Sequence, residues 1–526
     1  MAGSMDATFP SADGVALEIA TREAEQAKPP INQRSPGEWV KANLFNSAMN
    51  TVITVVMTPI VLFLGYRFLR FVFVTGRWEP VDTNLRLFMT GLYPEEEIWR
   101  IAWQTIGFAL AAGLAAGLLR VAAQKTAEET GEPFVPTGWR AYATSYWSIA
   151  LFTLVCMFTF VTTIGPWLVL AGSVVAGAVG WFLASRVPNS LRPYGWTVAG
   201  LVGVGSFQLL SGTGGWAWFF VTLALLPAIS SLAQLIPTGL LLPIAALGAL
   251  IGIGTLAWNP GVFGLIALLV GLYGGYTGWK GDRIDGAQTG LIMVAGVIAY
   301  LVTRGIDHTG IDWREWGGLH ISLVVAAASI LLAFPLGMLL ALGRRSKLPA
   351  IRWMSVGYIE FFRGAPLITF LLAAAFFLGF FINAQEIPSL ITRAIAAITL
   401  FSAAYIAEII RGGLQAVPSG QTEAGQALGL SAPKITRLLV MPQALRAVIP
   451  AMVGQFISLF KDTSLLTIIG IHEFLGVREL VHGQEAFRGF GIAETLTFVA
   501  FGYWAFSFSM SKESQRLERR LGVGQR

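Results

Sequence analysis

Apolar runs long enough to cross a bilayer, about 20 residues each, alternate with polar connectors along most of this chain. They fall near 50–72, 101–120, 145–165, 167–185, 194–211, 216–236, 239–258, 260–278 and 287–303. A polar stretch, GIDHTGIDWREW at 305–316, interrupts the series. Five more runs follow near 319–342, 355–382, 389–410, 446–470 and 490–511. The pattern predicts an all-α polytopic integral membrane protein of about 14 transmembrane helices. Residues 193–279 contain no Asp, Glu, Lys or Arg, which leaves room for four crossings at about 20 residues apiece. That region is rich in glycine and proline, so some of its helices could be re-entrant or broken. Continuous apolar runs, rather than alternation at period two, argue against a transmembrane β-barrel.

Composition agrees with the pattern. The 526 residues are 55% hydrophobic and 13% charged, against roughly 25% charged in ordinary soluble domains. The formal charge of +6 is spread over connectors and the C-terminus. It reports topology, not nucleic-acid binding. Connectors rich in Lys and Arg should face the cytoplasm. These are RRSKLPAIR at 344–352, the segment from Arg411 to Arg446, and KESQRLERR at 512–520. Alternating the last five spans puts all three inside and 304–318 outside. Nine preceding spans from a cytoplasmic N-terminus reach the same side. The expected division is therefore a flexible cytoplasmic tail at 1–47, an accessory transmembrane region of about nine helices at 48–304, a periplasmic loop at 305–318 and a core at 319–526. The acidic content of the tail is unlike a signal peptide. Cys156, the single cysteine, sits in an apolar run and reads as a small buried hydrophobe. Region 145–304 shows no convincing repeat. It could be a second pore or a peripheral scaffold.

The connector from Arg411 to Pro450 has internal order. Pro418 and Ser419 open a short helix, with Ser419 placed as N-cap and Glu423 in the first turn, where the helix dipole favours a carboxylate. Ala424, Ala427 and Leu428 fall at i, i+3 and i+4, giving a small apolar face. Gly429 is the expected left-handed stop. Ser431 can cap a second helix, with Pro433 in its first turn and Pro442 ending it. The prediction is helix, glycine corner, helix, held at a membrane surface.

The run QTEAGQALGLS resembles the EAA loop of ABC-transporter permeases, whose pattern is E-A-A-x-x-x-G. Gly425 stands where that pattern has Ala, a change that weakens a helix by roughly 0.5–1 kcal/mol. The flanks GGLQAVPSGQTEA, PQALR and FKDTSLLTIIG, with EFFRGAPLITFLL at 360–372, resemble the polar-amino-acid permeases over roughly 319–520. Pro450–Ala451 and Gly454 depart from that family's usual double proline and asparagine. GEWVKANLFNS at 37–47 and GLYPEEEIW at 91–99 resemble the larger permease of Aap/Bzt-type general amino-acid systems. The resemblance implies a five-helix type I ABC importer core in the bacterial inner membrane, with both termini cytoplasmic and a coupling loop at 411–446. It implies that Glu423, Ala424, Gly425, Ala427, Leu428 and Gly429 dock a separate ATPase dimer, which binds ATP and Mg. The other implied partners are a second, smaller permease as heterodimer, a periplasmic amino-acid-binding protein, an L-amino acid substrate and membrane lipid.

Charges inside spans need a reason, since each costs about 2.5–3.5 kcal/mol at a helix centre by insertion scales. Lys461 and Asp462, in the fourth core span, line the path or form an ion pair that fixes packing. Glu408 and Arg411 are i, i+3 partners at the cytoplasmic end of the third core span, pairing at the interface or contacting the translocation path. Arg363 precedes Gly364-Ala365-Pro366, a site that can kink a helix, and is an interfacial anchor or a substrate ligand. His308, His320, His472 and His482 lack metal-ligand spacing, and no H-E-x-x-H or G-x-x-x-x-G-K-S/T occurs. The chain is therefore expected to have no catalytic, cofactor or metal site of its own. A secondary amino-acid transporter also uses broken helices and buried charges, but has no need of a coupling loop. A membrane-embedded enzyme would need a nucleophile or an acid–base pair within a span.

Overall fold

A computed structural model describes residues 35–131, 139–158, 165–211, 217–258, 262–281, 283–305, 310–377, 380 and 388–521. Among these residues the chain is helical and has no strand; a lone bridge joins Gly318 and Glu473. The described residues divide into two compact units, one ending at Arg77 and the other beginning at Trp78.

The first unit contains α1 (Pro36–Leu44) and α2 (Ala48–Arg70). α1 lies within the expected flexible tail, and its reason is local. Ser35 Oγ accepts the Glu38 N–H at 3.3 Å while the Ser35 N–H donates to Glu38 at 2.9 Å. Pro36 follows at the first helical position. This is a capping box, which satisfies two otherwise unpaired donors. Residues 1–34 of the expected tail lie outside the described residues. α2 is apolar on all faces and has no buried residue, as expected of a lipid-facing span.

The second unit opens with α3 (Glu79–Thr83) and α4 (Leu85–Thr90). Its long helices are α5 (Ile98–Thr130), α6 (Trp139–Phe158), α7 (Gly165–Ala184), α8 (Arg192–Ser211), α9 (Ala217–Leu235), α10 (Thr238–Trp258), α11 (Val262–Trp279) and α12 (Arg283–Gly305). The core follows as α13 (Gly318–Arg344), α14 (Pro349–Arg363), α15 (Leu367–Leu372), α16 (Leu390–Ala416), α17 (Ser419–Ala427), α18 (Ala432–Ile435), α19 (Met441–Asp462), α20 (Val477–Gly483) and α21 (Ile492–Leu521). Nine helices among the described residues are long and apolar enough to cross a membrane, or ten if a bent pair counts as one. This measure does not confirm the count of fourteen. α6, α8, α11 and α21 occupy the remaining expected positions but fall outside that set.

The expected single span at 355–382 is instead two helices. Pro349–Arg363 and Leu367–Phe377 are bent by 101°. Pro366, with φ −64° and ψ 146°, caps the second helix and cannot continue the first. α14 also alternates charge with apolar residues: Arg352, Glu360 and Arg363 share it with Trp353, Met354 and Phe361, all of them exposed.

Glycine lets the accessory helices approach closely. A Cβ on Gly113 would lie 2.1 Å from the Gly177 carbonyl oxygen, and one on Gly271 would lie 2.6 Å from that of Gly248. Gly113–Gly117 and Gly271–Gly275, each spaced as G-x-x-x-G, therefore serve packing within the chain. α6 docks on α21 through a polar seam. Ser148 Oγ donates to the Ala505 carbonyl at 2.9 Å and pairs with Ser509 Oγ at 2.9 Å, beside Trp147 packed on Trp504 and Phe508.

Contacts between distant segments sort the helix ends into two sets. Arg516 reaches Ser145 at 2.6 Å, Arg437 reaches Asp285 at 3.5 Å and Arg344 reaches Glu408 at 2.5 Å. At the opposite ends, Gln484 reaches Asn84 at 2.7 Å, His320 reaches Gln104 at 2.9 Å and Phe207 packs near Trp313. The first set holds the three arginine-rich connectors, and the second holds the polar stretch after α12. At the second end the Glu473 carboxylate is fully buried. It accepts from Ser322, Tyr503 and the backbone N–H groups of Leu475 and Gly476, at 2.8–3.2 Å. Burial raises its pKa and these four donors pull it back.

Labelling tests this sorting. With Cys156 replaced by Ser, a membrane-impermeant maleimide should label Asp312→Cys in intact cells and Ser431→Cys only after permeabilisation. Strong labelling of Ser431→Cys in intact cells would refute the topology.

Candidate functional site

The connector between α16 and α19 forms a corner. Pro418 is the N-cap of α17, with ψ 141°, and Ser419 is its first helical residue, making no capping bond. The placement of Ser419 as N-cap is thus corrected, and Glu423 falls one position further along, beyond the first turn. Proline takes the cap because its fixed φ and extended ψ redirect the chain out of α16. α17 ends through the Leu430 N–H to Gly425 carbonyl bond at 3.1 Å, with Gly429 at φ +74°. That conformation suits glycine and strains residues bearing a Cβ.

α17 has two faces. Gly425 is buried, and a Cβ there would lie 2.8 Å from Ile435 Cγ1 and 3.1 Å from Leu439 Cδ1. The departure from Ala at this position therefore permits close approach of the second arm. Glu423, Ala424, Ala427 and Leu428 are exposed, Leu428 by 78%.

The second arm does not stop at Pro442. α18 runs through a π-helical turn, Thr436–Val440, directly into α19. A π turn widens the helix just before the proline, where an α-helical register would clash. Ile435, Val440 and Met441 are buried in a cluster with Ala341 of α13, Ile410 and Leu414 of α16, and Ala444 and Val448 of α19. A Cβ on Gly413 would lie 2.6 Å from the Ala444 carbonyl oxygen, so α16 and α19 touch through backbone. Gln443 of α19 bonds Gln421 of α17 at 3.1 Å. A cleft of about 240 Å³ remains between the corner and the helix ends, bordered by Arg345, Leu414, Thr422, Gln426 and Thr436.

Beside this element lies a charged cluster. Glu408, 16% exposed, receives Arg344 at 2.5 Å, Arg411 at 2.8 Å and Arg363 at 3.7 Å. Arg344 also reaches Glu360 at 3.3 Å, and Arg363 lies over the Tyr405 ring at 5.7 Å. The cluster joins α13, α14 and α16 and carries three cations against two carboxylates. Sequence spacing links only Glu408 and Arg411; Arg344 and Glu360 come from other helices and carry no local signal.

Lys461 and Asp462 are not part of it. They end α19, where the chain tightens into a 3₁₀ turn at Thr463–Ile469. No ion pair joins them among the described residues, and Lys461 is exposed. Adjacent helical residues do not face each other, so the packing ion pair considered for them is not formed.

Residues 333–523 match the family described as binding-protein-dependent transport system inner membrane component. The probable glutamine ABC transporter permease protein GlnP of Bacillus subtilis (strain 168) is 37% identical over 206 residues, covering 39% of this chain and 92% of that protein. The chain belongs to the ABC transporter permease family. Within this family, the inner membrane amino-acid ABC transporter permease protein YhdY of Escherichia coli (strain K12) is 44% identical over 214 residues, 41% of this chain and 58% of that permease. The glutamate/glutamine/aspartate/asparagine transport system permease protein BztC of Rhodobacter capsulatus is 46% identical over 212 residues, 40% of this chain and 49% of that permease. The match thus spans about half the length of these two longer permeases and nearly all of the short one.

Glu408→Gln would leave three arginines sharing a neutral amide. The loss should be ~1–3 kcal/mol, as for hydrogen bonds to charged groups, and should appear as a lower thermal midpoint of the purified protein. An unchanged midpoint would mean that the arginines do not depend on this carboxylate.

Proposed function

We propose that the chain is the translocating subunit of an ATP-driven importer that carries polar or general L-amino acids from the periplasm to the cytoplasm. The observation that carries this reading is the corner itself. It offers an exposed face of Ala424, Ala427 and Leu428 at Gly429, while its second arm is packed into three core helices. An exposed apolar tip on a fixed base is suited to a groove on another protein. In this reading Glu423, Gly425 and Gly429 shape that docking element, and a separate ATPase dimer binds ATP and Mg. Closure of the dimer displaces the corner, and the packed second arm transmits the motion to α13, α16 and α19.

The substrate class rests on relatives, one of which is named for glutamate, glutamine, aspartate and asparagine transport. The cluster of Glu408, Arg363, Arg344 and Arg411 sits at the corner's end of the spans and would act there as a polar gate. Lys461 and Asp462, at the far end of α19, would line the opposite part of the path. A periplasmic binding protein delivers substrate, and a second, smaller permease completes the pore against the exposed Trp353 and Phe361 of α14. Both termini lie in the cytoplasm, and the accessory helices form a scaffold in the lipid. A secondary transporter would have no use for the exposed corner.

Gly429→Asp tests the reading. Aspartate tolerates positive φ better than most residues, and the position has open space around it in this chain. The variant should therefore reach the membrane normally yet lose ATPase co-purification and amino-acid uptake. Full uptake with normal ATPase recovery would show that the corner is only a connector.

A further inference from the structure

The accessory region touches the coupling element at a charged pair. Arg437, in the π-helical turn of the second arm, has its Nη1 atom 3.5 Å from Asp285 Oδ1. Asp285 lies in the first turn of α12, where the helix dipole favours a carboxylate. Tyr273 of α11 donates its hydroxyl to Asp285 Oδ2 at 3.1 Å. The carboxylate is thus held from two accessory helices.

Those helices form a stiff base. A Cβ on Gly286 would lie 2.4 Å from the Gly278 Cα, and one on Gly274 would lie 2.6 Å from Thr289 Cγ2. α11 and α12 therefore meet through backbone right at the residues that present Tyr273 and Asp285. α10 packs against both through Gly271, Gly248 and Gly290. Arg437, by contrast, stands two residues beyond the buried Ile435 on the arm that must shift if the corner is driven by another protein. Its side chain is 57% exposed and that of Asp285 is 32% exposed.

We infer that Asp285 is a positioning residue for coupling: it ties the second arm of the corner to the accessory helices and biases the arm toward the position from which displacement of the corner is passed to the core spans. This rests on the reading of the corner as the ATPase-coupling element. An exposed ion pair is weak and salt-screened, which suits a bias on a moving part better than a structural clamp. The tie gives the accessory helices a task in the transport cycle without giving them a pore.

The test uses the whole transporter in proteoliposomes, with uptake and ATP hydrolysis measured on the same vesicles. Asp285→Asn and Arg437→Gln should each lower the amino acid carried per ATP by about two- to fivefold, the bias within reach of an exposed pair. ATPase co-purification and membrane level should stay at the unaltered protein's values. The double variant should be no worse than the worse single one, and Asp285→Glu should retain the normal ratio. Unchanged ratios in both single variants, or losses that multiply in the double, would overturn the inference. So would a fall in co-purification, which would make the pair a plain structural tie. Gly429→Asp is measured alongside. If it abolishes uptake while Asp285→Asn is silent, only the tie is wrong; if it too is silent, the coupling reading fails and takes the tie with it.

Discussion

Backbone-close packing beneath the Gly429 corner is the constraint on which the rest of this molecule depends. A connector that merely hung below the bilayer could be bound without consequence. Here Ile435, Val440 and Met441 are buried against α13, α16 and α19, and α16 meets α19 through Gly413 and the Ala444 carbonyl. Burying a side chain such as Ile435 contributes about 1.5–3 kcal/mol, so the second arm stays with the helix ends when the tip is pulled. Close-packed interiors transmit displacement because they deform little. The tip is the opposite case, since Leu428 has no cover from its own chain.

The charged cluster follows from the same geometry. Where α13, α14 and α16 converge, a carboxylate taken out of water is costly unless it is paired. Glu408 solves this with three arginines drawn from three helices. Glu360 and Arg363, in the last turn of α14 before the bend at Gly364–Pro366, both reach the cluster.

Much of this was legible in the sequence, for identifiable reasons. Apolar runs report spans because a bilayer imposes length and composition together. Gly429 is legible because a helix stop needs a left-handed residue at a fixed offset, and Glu408–Arg411 because i, i+3 residues are neighbours on a helix. What escaped is tertiary. Arg344 meets Glu408 across 64 residues, and Asp285 belongs to a different region from Arg437. The right-angle bend was readable only as a permitted kink, since Gly-Ala-Pro allows many angles. Ser419 was assigned as cap by residue preference, yet Pro418 had already set the turn. The S-x-x-E signature at Ser35–Glu38 was present and predicts a helix within the tail.

The central claim is that the exposed corner is gripped by a separate ATPase. The most direct measurement places a photo-crosslinking amino acid at Leu428 in cells that express the full transporter. Irradiation should yield an adduct with the mass of this chain plus the ATPase subunit, and the same probe at Asp312 should give none. Normal amino-acid uptake with no ATPase adduct at Leu428 would contradict the account.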